Sequence, residues 1–197
     1  MILPAADDIL KLIILFFVIF DPFASFSVFT AATANLTFRQ RRRTALLAVL
    51  VASLISYSVL FFGESVLRLF GAEIHDFKIA AGIILCILGI KMSLGESFSK
   101  DEGIEESSSQ AIAALIGTPL LTGPAAITTI IIVVQDYGRA APALAVTLVL
   151  LFTTALFLAS ALLARFINTT LIRVLSTILG LITISWGIKF IRAGISL

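Results

Sequence analysis

Four stretches of this chain, residues 44–63, 79–90, 140–164 and 174–188, contain no Asp, Glu, Lys or Arg. Runs of this kind are long enough to be membrane spans or most of one, and they constrain the fold more than any other feature. Charged residues make up only 13% of the chain against 59% hydrophobic, whereas a soluble domain carries charge on about a quarter of its residues. The bilayer is therefore the expected solvent, and a soluble enzyme is excluded. The expected fold class is an all-α integral membrane protein of six transmembrane helices, at about 9–33, 44–63, 76–95, 111–134, 140–164 and 173–192.

The one sizeable polar stretch, residues 96–110, is acidic and serine-rich and has no apolar periodicity. It reads as a cytoplasmic linker between a first three-helix repeat, 1–95, and a second, 111–197. The two units are related in sequence. The segment from Gly82 to Met92 aligns without gaps on that from Gly180 to Phe190, with identity at Gly82/Gly180, Ile84/Ile182, Gly89/Gly187, Ile90/Ile188 and Lys91/Lys189. Each unit also opens with a span interrupted by proline, at Asp21-Pro22 and at Gly123-Pro124. Three spans is an odd number, so the second unit enters the membrane from the opposite side and the repeats are inverted, with broken helices 1 and 4. Arg39, Arg41, Arg42 and Arg43 crowd the first loop, which by the positive-inside rule puts that loop in the cytoplasm and both termini outside. The N-terminus, with Asp7 and Asp8 ahead of the first apolar run, reads as a retained span rather than a cleaved leader.

Asp21 is the one acidic side chain expected deep within a span, where an unpaired carboxylate costs about 2.5 kcal/mol or more. Pro22 beside it has no N–H and clashes with the carbonyl of Val18, so the helix must kink or unwind here. The Asp21 carboxylate can cap the half-helix that follows, bind a ligand or coupling ion, or do both. In the second unit Pro119 and Pro124 lie five residues apart around Thr122 and Gly123. They free two carbonyls, and Gly123 permits non-helical angles. Pro124 suits the first turn of a new half-helix, whose N-terminus is a good place for a carboxylate.

Together these features describe a site for a small zwitterion. Half-helix N-termini would take its carboxylate, freed carbonyls and Asp21 its ammonium, and the Thr118 and Thr122 hydroxyls would orient it. The candidate binding residues are Asp21, Pro22, Phe23, Thr118, Pro119, Thr122, Gly123 and Pro124, with Asp21 also the candidate for the coupling ion. No nucleotide loop, metal-ligand cluster or activated nucleophile is recognisable, so no cofactor, no metal and no enzymatic activity are expected, and transport would draw on a gradient. A net charge of +2 gives no footprint for nucleic acid. Cys86 and His75 read as a core residue and a solvated residue, while Lys78, Lys91 and Lys189 sit near span ends, where their stems reach the interface. Small residues recur at helical spacing at Ala45, Ala48, Ala52 and Ser56, and at Ala155 and Ala159, as in closely packed helices within one chain or in a homo-oligomer.

Asp21-Pro22, the Gly-Ile-Lys ending at Lys91, and the string Pro119-Leu120-Leu121-Thr122-Gly123-Pro124-Ala125-Ala126-Ile127-Thr128 resemble the MarC family of membrane proteins, also called the neutral amino acid transporter family after its SnatA member. The resemblance covers nearly the whole chain. Ala24 and Ser27 stand where the family usually has a glycine and a second proline, and Ala125 replaces a common glycine, which implies a less flexible first break. The resemblance implies secondary transport of small neutral amino acids such as glycine, alanine or serine, coupled to H+; a short chain with no recognisable targeting segment is expected in a prokaryotic plasma (inner) membrane. The alternative is a passive channel or facilitator for a small polar solute, with the same breaks lining a pore.

Overall fold

The computed structural model describes residues 6–69, 71, 73–94, 112–114, 116–163 and 169–195. The expected linker at 96–110 lies outside the described residues. Those residues form helices and no strand: α1 (Ala6–Phe20), α2 (Pro22–Ala32), α3 (Phe38–Leu69), α4 (Ile74–Ser93), a π-helical segment (Ile116–Leu121), α5 (Pro124–Tyr137), α6 (Ala140–Leu158), α7 (Ser160–Leu163) and α8 (Thr169–Ile195). Among the described residues, four segments are long and apolar enough to cross a membrane: Asp7–Ala32, Phe38–Leu69, Ala140–Leu158 and Val174–Ile195.

The helices show two kinds of apolar surface. Leu46, Leu50 and Leu54 on α3, Ile83, Ile87 and Ile90 on α4, and Val174, Ile178 and Leu181 on α8 are exposed in stripes at helical spacing. An exposed area of that character belongs against lipid tails rather than water. Polar side chains within these helices turn inward on their own backbone. Thr147, Thr153, Thr154, Thr183 and Ser185 each donate a hydroxyl to the carbonyl four residues earlier, which satisfies them without water.

The centre of the molecule is made from the two discontinuous segments. Leu12, Leu15, Phe16, Val18 and Phe20 on α1 and Ala126, Ile130, Ile132 and Val133 on α5 are at most 2% exposed. Non-helical backbone in a bilayer survives only inside protein or against a cavity, so burial of the broken segments by their neighbours is what the breaks require. Helix α1 packs chiefly on α6, and α3 packs on α6, α5 and the π-helical segment.

The most extensive contact among the described helices joins α4 to α8. Gly82 faces Gly187, Gly89 faces Gly180 and Gly194 faces His75, so the two helices run antiparallel. A Cβ built on Gly82 would stand 2.5 Å from the Gly187 carbonyl oxygen, and one on Gly180 would stand 2.7 Å from that of Gly89. Glycine is required at these positions because backbone meets backbone. The signature shared by the two units is thus a contact surface, and each copy of it is the partner of the other.

Three details depart from expectation. The arginines 39–43 lie on the first turns of α3 rather than in a loop. That helix starts at a reciprocal cap in which the Thr37 N–H and hydroxyl bond the Gln40 side chain at 3.0 and 2.7 Å, a Thr-x-x-Gln pattern present in the sequence. The series Ala45, Ala48, Ala52 and Ser56 is fully buried, but Ala155 is exposed, because α6 turns Val149, Thr153, Leu156 and Phe157 inward instead. Lys78 does not merely reach outward: its ammonium pairs with Asp136 at the end of α5 at 2.9 Å.

Candidate functional site

The first break is a single residue wide. Asp21 sits at φ 38°, ψ 70°, in the left-handed region, and is the only non-glycine residue there among the described residues. Its carboxylate accepts the Ala24 N–H at 3.1 Å and so caps α2, while Pro22 fills the first helical position, where no N–H is needed. Ser25 ties the two sides of the break together: its hydroxyl donates to the Phe20 carbonyl at 3.2 Å, and its N–H makes the first backbone bond of α2, to the Asp21 carbonyl at 3.0 Å. Asp21 is 8% exposed. Capping uses part of the acceptor capacity of a carboxylate, which has about four lone-pair sites, and the rest remains for a ligand.

The second break is longer. Thr118 adopts φ −148°, ψ 122° inside the π-helical segment, the extended conformation forced on a residue that precedes proline. The Gly117 carbonyl then skips a residue and takes both the N–H and the hydroxyl of Thr122, at 3.3 and 2.5 Å. Gly123, in extended backbone, is the N-cap of α5, and its carbonyl receives the Ala126 and Ile127 N–H groups. Gly117 itself is pressed against α3, where a Cβ would lie 2.8 Å from the Ala48 carbonyl oxygen. The Thr122 hydroxyl should therefore brace this break. Thr122→Val, which keeps the shape and removes the donor, is expected to lower the midpoint of thermal unfolding in detergent by about 2–4 °C, the equivalent of about 1 kcal/mol; an unchanged midpoint would mean that the hydroxyl does not hold the break.

The candidate residues fall into three groups. Asp21, Pro22 and Thr122 are buried, Thr118 and Pro124 are exposed, and Gly123 is intermediate. Helix α2, which starts at the first break, packs directly on the π-helical segment, which contains the start of the second. The side chain of Pro119 lies outside what is described. Phe23 faces another way: its ring meets Phe17 at 5.7 Å and Phe152 of α6 at 6.3 Å, a packing position that holds the start of α2. Two hydroxyls that are not among the candidate site residues are conspicuous, Ser56 on α3, expected only as a packing residue, and Thr129 on α5. Both are completely buried, and neither oxygen has a hydrogen-bond partner among the described residues. A threonine in an apolar helix ordinarily bonds its own carbonyl at i−4, as Thr128 does to Pro124 at 2.9 Å, so sequence alone gave no signal that Thr129 departs from this.

The profile of the MarC family integral membrane proteins matches residues 6–197. A membrane protein of Buchnera aphidicola from Acyrthosiphon pisum is 32% identical over 184 residues, covering 89% of this chain and 86% of its own. The membrane protein YhcE of Escherichia coli is 31% identical over 194 residues, covering 94% and 90%. The inner membrane protein YhgN of the same organism is 25% identical over 191 residues, 96% of each chain. The family match runs through both breaks and both glycine-bearing helices. No solved structure matches.

Proposed function

Since this chain belongs to the MarC family of integral membrane proteins, we propose that it is a secondary transporter of small neutral amino acids of the glycine, alanine and serine class. Transport is coupled to protons and proceeds by alternating access around the paired helix breaks. The observation that carries the reading is the pair of breaks. Each supplies a half-helix N-terminus, the helix that starts at the first packs on the π-helical segment of the second, and the first holds a buried carboxylate. A zwitterion needs both kinds of partner, a positive dipole end for its carboxylate and an acceptor for its ammonium.

The architecture we propose is six spans in two inverted repeats, with both termini outside the inner membrane. What supports it is the reciprocity of the helix contacts. Gly82 corresponds to Gly180 and Gly89 to Gly187 in the aligned units, and the contacts of Gly82 with Gly187 and of Gly180 with Gly89 exchange under that correspondence. The neighbours exchange too: Ile191 lies against Gly82 where Ser93 lies against Gly180, and Ile184 against Gly89 where Cys86 lies against Gly187. A two-fold axis in the membrane plane has this consequence.

A carrier is distinguished from a pore by counterflow. Proteoliposomes preloaded with unlabelled glycine are expected to take up labelled glycine severalfold faster than empty ones and to saturate. Uptake that does not respond to internal glycine and does not saturate would favour the channel reading.

A further inference from the structure

Away from the breaks, where the start of α3 meets the end of α6, a cavity of about 240 Å³ is lined by Phe38, Arg41, Arg42, Phe157 and Leu158. We propose that it binds an anionic phospholipid, with the phosphodiester held by Arg41 and Arg42 and the upper acyl chain lying along Phe157 and Leu158. Arg41 is only half-exposed. One of its terminal nitrogens donates to the Thr30 carbonyl at 3.4 Å, and the guanidinium carbon lies 6.0 Å from the centre of the Phe29 ring. Its Nε is buried and has no hydrogen-bond partner among the described residues, and neither Arg41 nor Arg42 has a carboxylate within ion-pair distance among them. A planar fork of donors held in place with part of its capacity unspent is suited to a phosphate oxygen pair.

The opposite wall is apolar and rigid. Phe157 stacks on Phe29 at 4.5 Å with the rings 7° from parallel, so the same aromatic pair supports both Arg41 and the cavity floor. Phe38 and Leu158 are 71% and 39% exposed, so the cavity opens onto the outer surface of the helices. It does so at the charged end of α3, where headgroups meet hydrocarbon. Cations on one wall and hydrocarbon on the other match an anionic amphiphile better than a free ion, which has no use for the apolar side.

The test is native mass spectrometry of the full chain in mild detergent, titrated with phosphatidylglycerol or phosphatidylcholine. Phosphatidylglycerol should be retained about tenfold more strongly, because phosphatidylcholine carries the same phosphodiester but its choline cation is repelled by the two arginines. The double variant Arg41→Gln, Arg42→Gln should lose that preference, and Arg68→Gln, at the other end of α3, should keep it. Arg42→Gln alone, at an exposed position, serves if the double variant does not fold, and should weaken the preference. Equal retention of the two lipids by the natural chain overturns the proposal. Competition by glycerol phosphate as strong as that of the lipid would also overturn it, making the site one for a free anion. So would a preference that emerges only after Asp101, Glu102, Glu105 and Glu106 are changed to the amides, because the occupant would then be the chain's own acidic linker.

Discussion

Asp21→Asn is expected to reduce proton-driven uptake of glycine and alanine into proteoliposomes by about 100-fold, the scale set by losing one or two charge-assisted hydrogen bonds. Helix content and membrane insertion should be unchanged. The substitution is chosen for what it keeps. Asparagine tolerates the left-handed conformation that Asp21 adopts at φ 38° and caps a helix as well as aspartate does, so the bond to the Ala24 N–H survives. Only the charge and the proton-binding capacity are removed. Asp21→Ala should add a structural defect of about 1 kcal/mol for the cap and a similar amount for backbone strain. If Asp21→Asn transports normally while Asp21→Ala unfolds, Asp21 is a cap and takes no part in transport.

The second large effect concerns the α4–α8 contact. Gly82→Ala is expected to lower the midpoint of thermal unfolding in detergent by about 2–12 °C, the counterpart of the roughly 1–3 kcal/mol that overpacking costs. The new methyl would meet the Gly187 carbonyl oxygen at 2.5 Å and the Ile191 nitrogen at 2.9 Å, both of them backbone, so no side chain can rotate away and the helices themselves must part. Gly180→Ala should behave alike, since its methyl meets the Gly89 carbonyl oxygen and the Ser93 nitrogen at 2.7 and 2.8 Å. Because Gly82 and Gly187 share one point of contact, substituting both should cost less than the sum of the two. Ile87→Ala, on the lipid-facing side of α4 at 53% exposure, is the control and should leave the midpoint nearly unchanged. A shift as large for Ile87→Ala as for Gly82→Ala would mean that the glycine contact is not what joins the helices.

Much of this was legible in the chain itself. Apart from the two breaks, the described residues of the expected segments are mostly helical, and four stretches are long and apolar enough to cross a membrane, since an apolar run has few other options in lipid. Both breaks fall at the prolines, because a missing N–H and a fixed φ act on the nearest turn whatever surrounds them. The cap by Asp21 follows from the same local chemistry.

What the sequence could not determine is which apolar residue faces protein and which faces lipid. Leu12 and Leu50 look alike in the chain, yet one is 1% and the other 62% exposed. In water the contrast between polar and apolar residues marks the buried face of a helix, but a bilayer rewards hydrocarbon on both faces and erases that contrast. Only the tertiary structure could therefore put α1 and α5 at the centre, turn Phe23 toward Phe17 and Phe152, and leave Ala155 outside. The glycines lie between these cases. Their seven-residue spacing was visible as a repeat, but that Gly82 meets Gly187 and Gly89 meets Gly180 is decided by the antiparallel approach of two backbones, which no local pattern encodes.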